Sequence, residues 1–105
     1  MEIFTRHHAA QQRLPGDRPR VLVGVVASGN LEILAERLLD DDTACQFNVS
    51  TSATGFGQVW EAVLQDFVER HAPGGVVFSI NDNGARPDTV MLRLAQACEA
   101  LKEAT

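Results

Sequence analysis

The chain has 105 residues, 45% of them hydrophobic and 6% aromatic, and nine basic against fourteen acidic side chains leave a formal charge of −5. That length makes one domain with a modest core, too small for an internal cofactor cleft with its own lid. The acidic balance argues against nucleic acid as the main partner, because phosphate recognition needs a basic face. No apolar run has the length of a membrane span, and the first residues lack the apolar core of a signal peptide; the expected location is the cytoplasm, with no membrane partner.

Residues 1–19 read as a flexible segment ahead of the domain proper. Ile3 and Phe4 have the character of a short edge strand, but His7, His8, two glutamines and Pro15-Gly16-Asp17 show no sustained periodicity. His7-His8 makes a poor metal site, since adjacent side chains point apart on a regular element and no third ligand stands near. From Val21 to Ala27 the chain is almost continuously apolar and rich in β-branched residues, the pattern of a strand buried on both faces. It stops at Ser28-Gly29-Asn30, residue types that favour turns. The simpler reading of Ser28 is that it helps the turn. The alternative is a hydroxyl held on a stiff apolar stem beside a glycine that permits close approach, as a modified residue must be.

Leu31, Leu34, Ala35, Leu38 and Leu39 match helical spacing, whereas Leu31, Ile33 and Ala35 match the alternation of a return strand. Asp40-Asp41-Asp42 is a solvated turn. Cys45, Phe47 and Val49 alternate with Gln46, Asn48 and Ser50, a half-buried strand. The Thr51–Gly57 loop leads to a helix with Trp60, Val63, Leu64, Phe67 and Val68 on one face and Glu61, Gln65, Asp66 and Glu69 on the other. A glycine loop at a helix start can hold phosphate, but Thr54-Gly55-Phe56-Gly57 lacks the P-loop lysine and the full dinucleotide pattern, so an ordinary connection is expected. Ala72-Pro73-Gly74-Gly75 ends the helix.

Val76–Ile80 is a further strand, followed by the polar turn Asn81–Ala85. Pro87 suits the first turn of a last helix, whose buried stripe is Val90, Leu94, Ala97, Cys98 and Leu101. Arg86 and Arg93 are the basic residues near the polar turn, with solvent as the default environment. Cys45 and Cys98 lack metal-ligand spacing and basic neighbours, which makes both buried free thiols.

The strand at 45–52, the helix at 60–71 and the strand at 76–80 have the length of one βαβ crossover. A hairpin at Ser28 would extend the sheet antiparallel. The expected fold is α+β, a small two-layer domain in which two helices cover one face of a mixed sheet of about four strands. No catalytic triad, carboxylate pair or metal cluster emerges, so a binding or carrier module is favoured over an enzyme.

The run Val23-Gly24-Val25-Val26-Ala27-Ser28-Gly29-Asn30-Leu31-Glu32-Ile33-Leu34 resembles the V-G-V-V-G-S-G-D-L-E-V-L segment of malonate decarboxylase acyl carrier proteins, the δ subunits. Further similarity lies in Val49-Ser50-Thr51-Ser52, in Asp82-x-Gly84-Ala85, and in Val90-x-Leu92-Arg93-Leu94 with Gln96. The resemblance spans about residues 20–100, and it makes 20–105 the carrier domain. Two positions depart from the pattern: Asn30 replaces an aspartate, keeping turn chemistry while removing a charge, and Ala27 replaces a glycine.

The resemblance implies that Ser28 carries a phosphodiester-linked group derived from 2′-(5″-triphosphoribosyl)-3′-dephospho-coenzyme A, with Gly29 and Asn30 forming the flanking turn. It implies acetyl and malonyl thioesters on that arm, and a non-catalytic carrier role in malonate catabolism. The implied partners are the transferase and decarboxylase subunits, a prosthetic-group transferase and a malonyl-loading transferase. It also turns the 31–38 segment toward strand. A citrate-lyase-type carrier fits the residues around Ser28 less well. A protein-interaction module with Ser28 as a mere turn residue is the more distant alternative.

Overall fold

The computed structural model describes residues 2–10, 12–24, 30–38 and 43–103. Strands β1 (Glu2–Ala9), β2 (Arg20–Gly24), β3 (Asn30–Arg37) and β4 (Ala44–Thr51) are followed by helix α1 (Gly57–His71), strand β5 (Val76–Asn83) and helix α2 (Pro87–Lys102). The five strands form one sheet in the order β1-β4-β5-β3-β2, one more strand than the expected four or so. Strands β4 and β5 are parallel, joined through α1 as a βαβ unit, and the other three pairings are antiparallel.

The additional strand is β1. Within the N-terminal segment 1–19, where Ile3 and Phe4 suggested a short edge strand, Glu2–Ala9 forms a longer one that pairs with β4 from Glu2 opposite Thr51 to Ala9 opposite Ala44. Its even-numbered residues turn inward: Phe4 meets Trp60 edge-on at 6.2 Å, and the Arg6 guanidinium reaches Glu61 of α1 at 2.8 Å. An edge strand needs only one partner and half an apolar face, so a weakly hydrophobic stretch suffices. His7 is exposed; the His8 ring packs edge-on against Phe47. Among the described residues no group of His, Cys, Asp and Glu could hold a metal ion.

The first apolar run also behaves differently from expectation. Over its described part, β2 is the opposite edge strand rather than one buried on both faces: Val21 is buried, Leu22 is 61% exposed. Segment 31–38 resolves as strand. Leu31, Ile33 and Ala35 point into the core while β3 pairs with β2 on one side and β5 on the other. Two flanking strands satisfy its backbone on both sides, and alternation then prevails over helical spacing.

Both helices pack on the same face of the sheet. Phe47 of β4 stacks on Phe78 of β5 at 5.0 Å, and Phe67 of α1 meets both rings edge-on. Each buried aromatic or aliphatic side chain here stabilises the fold by about 1.5–3 kcal/mol. The α2 stripe Val90, Leu94, Ala97, Cys98 and Leu101 is buried as its spacing predicts. Helix α1 ends on Ala72 in the left-handed region, whose N–H donates to the Val68 carbonyl. Chain 12–14 crosses so close to Gly74 that a Cβ there would lie 2.2 Å from the Gln12 carbonyl oxygen, and only glycine fits. No helix among the described residues is long and apolar enough to cross a membrane.

Candidate functional site

Parallel pairing of β4 and β5 brings their carboxyl ends to one rim of the sheet, and the N-termini of α1 and α2 follow directly from that rim. The β2–β3 connection emerges at the same place. Asn30, the first residue of β3, pairs with Asn83 near the end of β5, and β2 leaves the sheet at Gly24. Gly24 has φ +83°, and a Cβ there would stand 2.3 Å from the Leu31 carbonyl oxygen, so the hairpin base requires glycine. Ser28 and Gly29 lie outside the described residues, as do 25–27. Asn30 is described as strand backbone, without its side chain.

Two polar side chains organise this rim. Thr51 and Asp82 are both buried. The Thr51 hydroxyl donates to Asp82 Oδ2 at 2.7 Å, and the Ala85 N–H donates to Oδ1 at 2.8 Å. The Thr51 oxygen in turn accepts from the Ala53 N–H at 3.1 Å, and the Ser52 N–H donates to the Asp82 carbonyl. A buried carboxylate is tolerated only when its oxygens are satisfied. Here the satisfied carboxylate locks the β4–α1 and β5–α2 loops to each other.

Between those loops opens an apolar pocket of about 310 Å³, lined by Trp60, Val63, Val90, Ala53 and Ala85 and by Asp82. Phe56 and Val59 stand at the rim, 51% and 43% exposed. Loop 54–57, questioned above as a phosphate cradle, forms part of this wall through Phe56. Arg93 of α2 lies beside the hairpin base, its Nε 3.7 Å from where a Cβ on Gly24 would be, and donates to Gln96. Arg86 begins α2, is exposed and stands 3.8 Å from Asp88.

Thr51 and Asp82 were not singled out as a pair by sequence reasoning, though parity carried a signal. Thr51 continues the inward set Cys45, Phe47, Val49, and Asp82 continues Val76, Phe78, Ile80. The two thiols are unreactive by position: both are fully buried, and burial pushes Cys45 up to about 11 and Cys98 up to about 12.

A family model described as ACP, malonate decarboxylase delta subunit (MdcD), matches residues 18–101. The chain belongs to this family. It is 55% identical over 103 residues to a malonate decarboxylase acyl carrier protein of Bradyrhizobium diazoefficiens, covering 98% of this chain and 97% of that one. Its identity to the Xanthomonas euvesicatoria acyl carrier protein of the same name is 54% over 104 residues, 99% and 98% of the two chains. Among solved structures, one chain of a Pseudomonas malonate decarboxylase hetero-tetramer in complex with malonate superposes with a TM-score of 0.83 at 35% identity. That match covers 96% of this chain and 99% of the other. The fold is thus shared with that chain over nearly the full length.

Proposed function

We propose that this chain is the non-catalytic acyl carrier subunit of a malonate decarboxylase and that Ser28 is the residue bearing its prosthetic group. The observation that carries the reading is near-full-length similarity to malonate decarboxylase acyl carrier proteins, with Ser28 falling in sequence between Gly24 and Asn30, the described ends of β2 and β3 at the rim where the apolar pocket opens. The rim fits a phosphoribosyl-dephospho-coenzyme A group in charge and polarity. Arg93 beside Gly24 and the exposed Arg86 offer positive charge for phosphates, in a protein that is acidic as a whole.

Attachment requires the Ser28 hydroxyl to attack the phosphorus nearest the ribose of the triphosphoribosyl donor. The Ser28 Oγ–P bond forms, the bond to the outer two phosphates breaks, pyrophosphate leaves, and the hydroxyl proton passes to a base of a separate transferase. When bound, the group would supply a thiol able to carry acyl units as thioesters. The chain's own task is to hold that arm at high effective concentration beside successive partners: the transferase and decarboxylase subunits, and a malonyl-loading transferase.

Intact mass and peptide mapping of the chain co-produced with a transferase active on the Bradyrhizobium relative test this. The expected result is a mass increase confined to the Ser28 peptide and absent from Ser28→Ala, with malonate-dependent activity of the complex lost in that variant. A fully active Ser28→Ala complex would remove this residue from the mechanism.

A further inference from the structure

The apolar pocket opens at the rim where β2 ends at Gly24 and β3 begins at Asn30. Residue 28 is two peptide units from Asn30, at most about 7.6 Å along the chain. Asn30 pairs across the sheet with Asn83, which sits between the pocket residues Asp82 and Gly84. Any arm tethered at Ser28 therefore starts within a few residues of the pocket mouth, and the pocket meets it at very high effective concentration.

We infer, on the basis of the carrier reading above, that this pocket is a resting site for the neutral end of the arm, which it holds as free thiol or acetyl thioester and releases as malonyl thioester. The chemistry of the walls selects the occupant. Trp60, Val63, Val90, Ala53 and Ala85 offer no hydrogen-bonding side chain but the Trp60 indole, and about 310 Å³ lies at the lower end of small-molecule sites. That volume suits the thioester end of an arm. The acidic residue in the lining is Asp82, whose oxygens already accept from Thr51 and Ala85. A malonyl carboxylate entering this site would lose its water, find the Trp60 indole as the one side-chain donor among these walls and face the Asp82 carboxylate. An acetyl group meets none of these costs. Arg93 and Arg86, outside the apolar walls, are placed for the phosphates of the arm rather than for its tip.

The molecule provides its own probes. Its one tryptophan, Trp60, is a pocket wall, and its two cysteines are fully buried, so a disulfide reagent such as DTNB reads the arm thiol alone. On the loaded chain, an arm docked about nine-tenths of the time makes that thiol react about tenfold more slowly than free coenzyme A. Acetyl loading should shift Trp60 emission and reduce its quenching by acrylamide, and malonyl loading should leave both as in the unmodified chain. Filling the pocket from either loop, by Ala53→Phe or Ala85→Phe, should restore the free-thiol rate in whichever variant retains the native circular dichroism and melting transition.

A loaded chain whose thiol reacts like free coenzyme A, with Trp60 indifferent to loading, overturns the resting site and leaves the carrier reading intact. Equal Trp60 responses to acetyl and malonyl overturn the selection by charge. Absence of any mass increase on Ser28 overturns the carrier reading and this inference together.

Discussion

The two ends of the sheet are built on opposite principles. At the end away from the rim, the chain is tied down by one side chain. Arg37, at the close of β3, donates to the carbonyls of Leu14 and Pro15 at 2.6 Å each, of Arg18 at 2.8 Å and of Leu101 at 2.9 Å. Arg13 adds a hydrogen bond to the Leu38 carbonyl, and backbone bonds join Leu14 to Gly74, Leu38 to Gly75 and Gly75 to Ala44. Five segments thus meet with their carbonyls satisfied. At the rim, the Thr51–Asp82 lock holds two loops together and leaves an open cavity between them. The comparison teaches where rigidity is needed: a carrier can expose a functional end only because the far end holds the helices and edge strands in place.

That contrast can be broken most severely at the tied end. Arg37→Met keeps an unbranched apolar stem, two atoms shorter, and removes every side-chain donor, leaving the four carbonyls without their charged partner. Charge-assisted hydrogen bonds are worth about 1.5–3 kcal/mol, and their partial exposure discounts the set, so a loss of about 2–3 kcal/mol in urea unfolding is expected. Ser28 modification of the folded fraction should be unchanged. A loss below about 0.5 kcal/mol would mean that Arg37 does not hold this end.

The rim offers a smaller effect with a functional signature. Thr51→Val preserves shape but deletes the hydroxyl, depriving Asp82 Oδ2 of its donor and the Ala53 N–H of its acceptor. The expected cost is about 1–2 kcal/mol, measured by chemical denaturation. Because the two loops form the pocket, Trp60 quenching by acrylamide should rise in the same variant, whereas Arg37→Met should leave it unchanged in the native state.

A further prediction is a pH dependence carried by the thiols. Cys45 and Cys98 titrate at 9.0 when unperturbed and are raised to about 11 and about 12 by burial. Below pH 9 both states keep the protons and these groups add no slope. Above it the unfolded chain releases them first, so it binds fewer protons and stability falls as pH rises toward the folded values. Urea unfolding at pH 8 and pH 10 should show that decline, and Cys98→Ala should flatten part of it. An unchanged slope in that variant would exclude the buried thiol as its source.

Much of the architecture was legible before any coordinates. Alternation at Cys45, Phe47 and Val49, helical spacing in α1 and α2, and the length between β4 and β5 each follow from local rules, because a half-buried strand or an amphipathic helix writes its period into the chain. The family motif around Ser28 was equally visible, since a run of consecutive residues needs no folding to be read. Tertiary structure alone decided the rest. Segment 31–38 satisfied both periods until strands on either side claimed its backbone, and Glu2–Ala9 became a strand because β4 had a free edge to offer. Arg37 looked like any charged residue at an element's end until four carbonyls from distant segments converged on it. The pocket belongs to no stretch of sequence, for its walls come from two loops and two helices, and a cavity is a relation among surfaces that local chain composition does not encode.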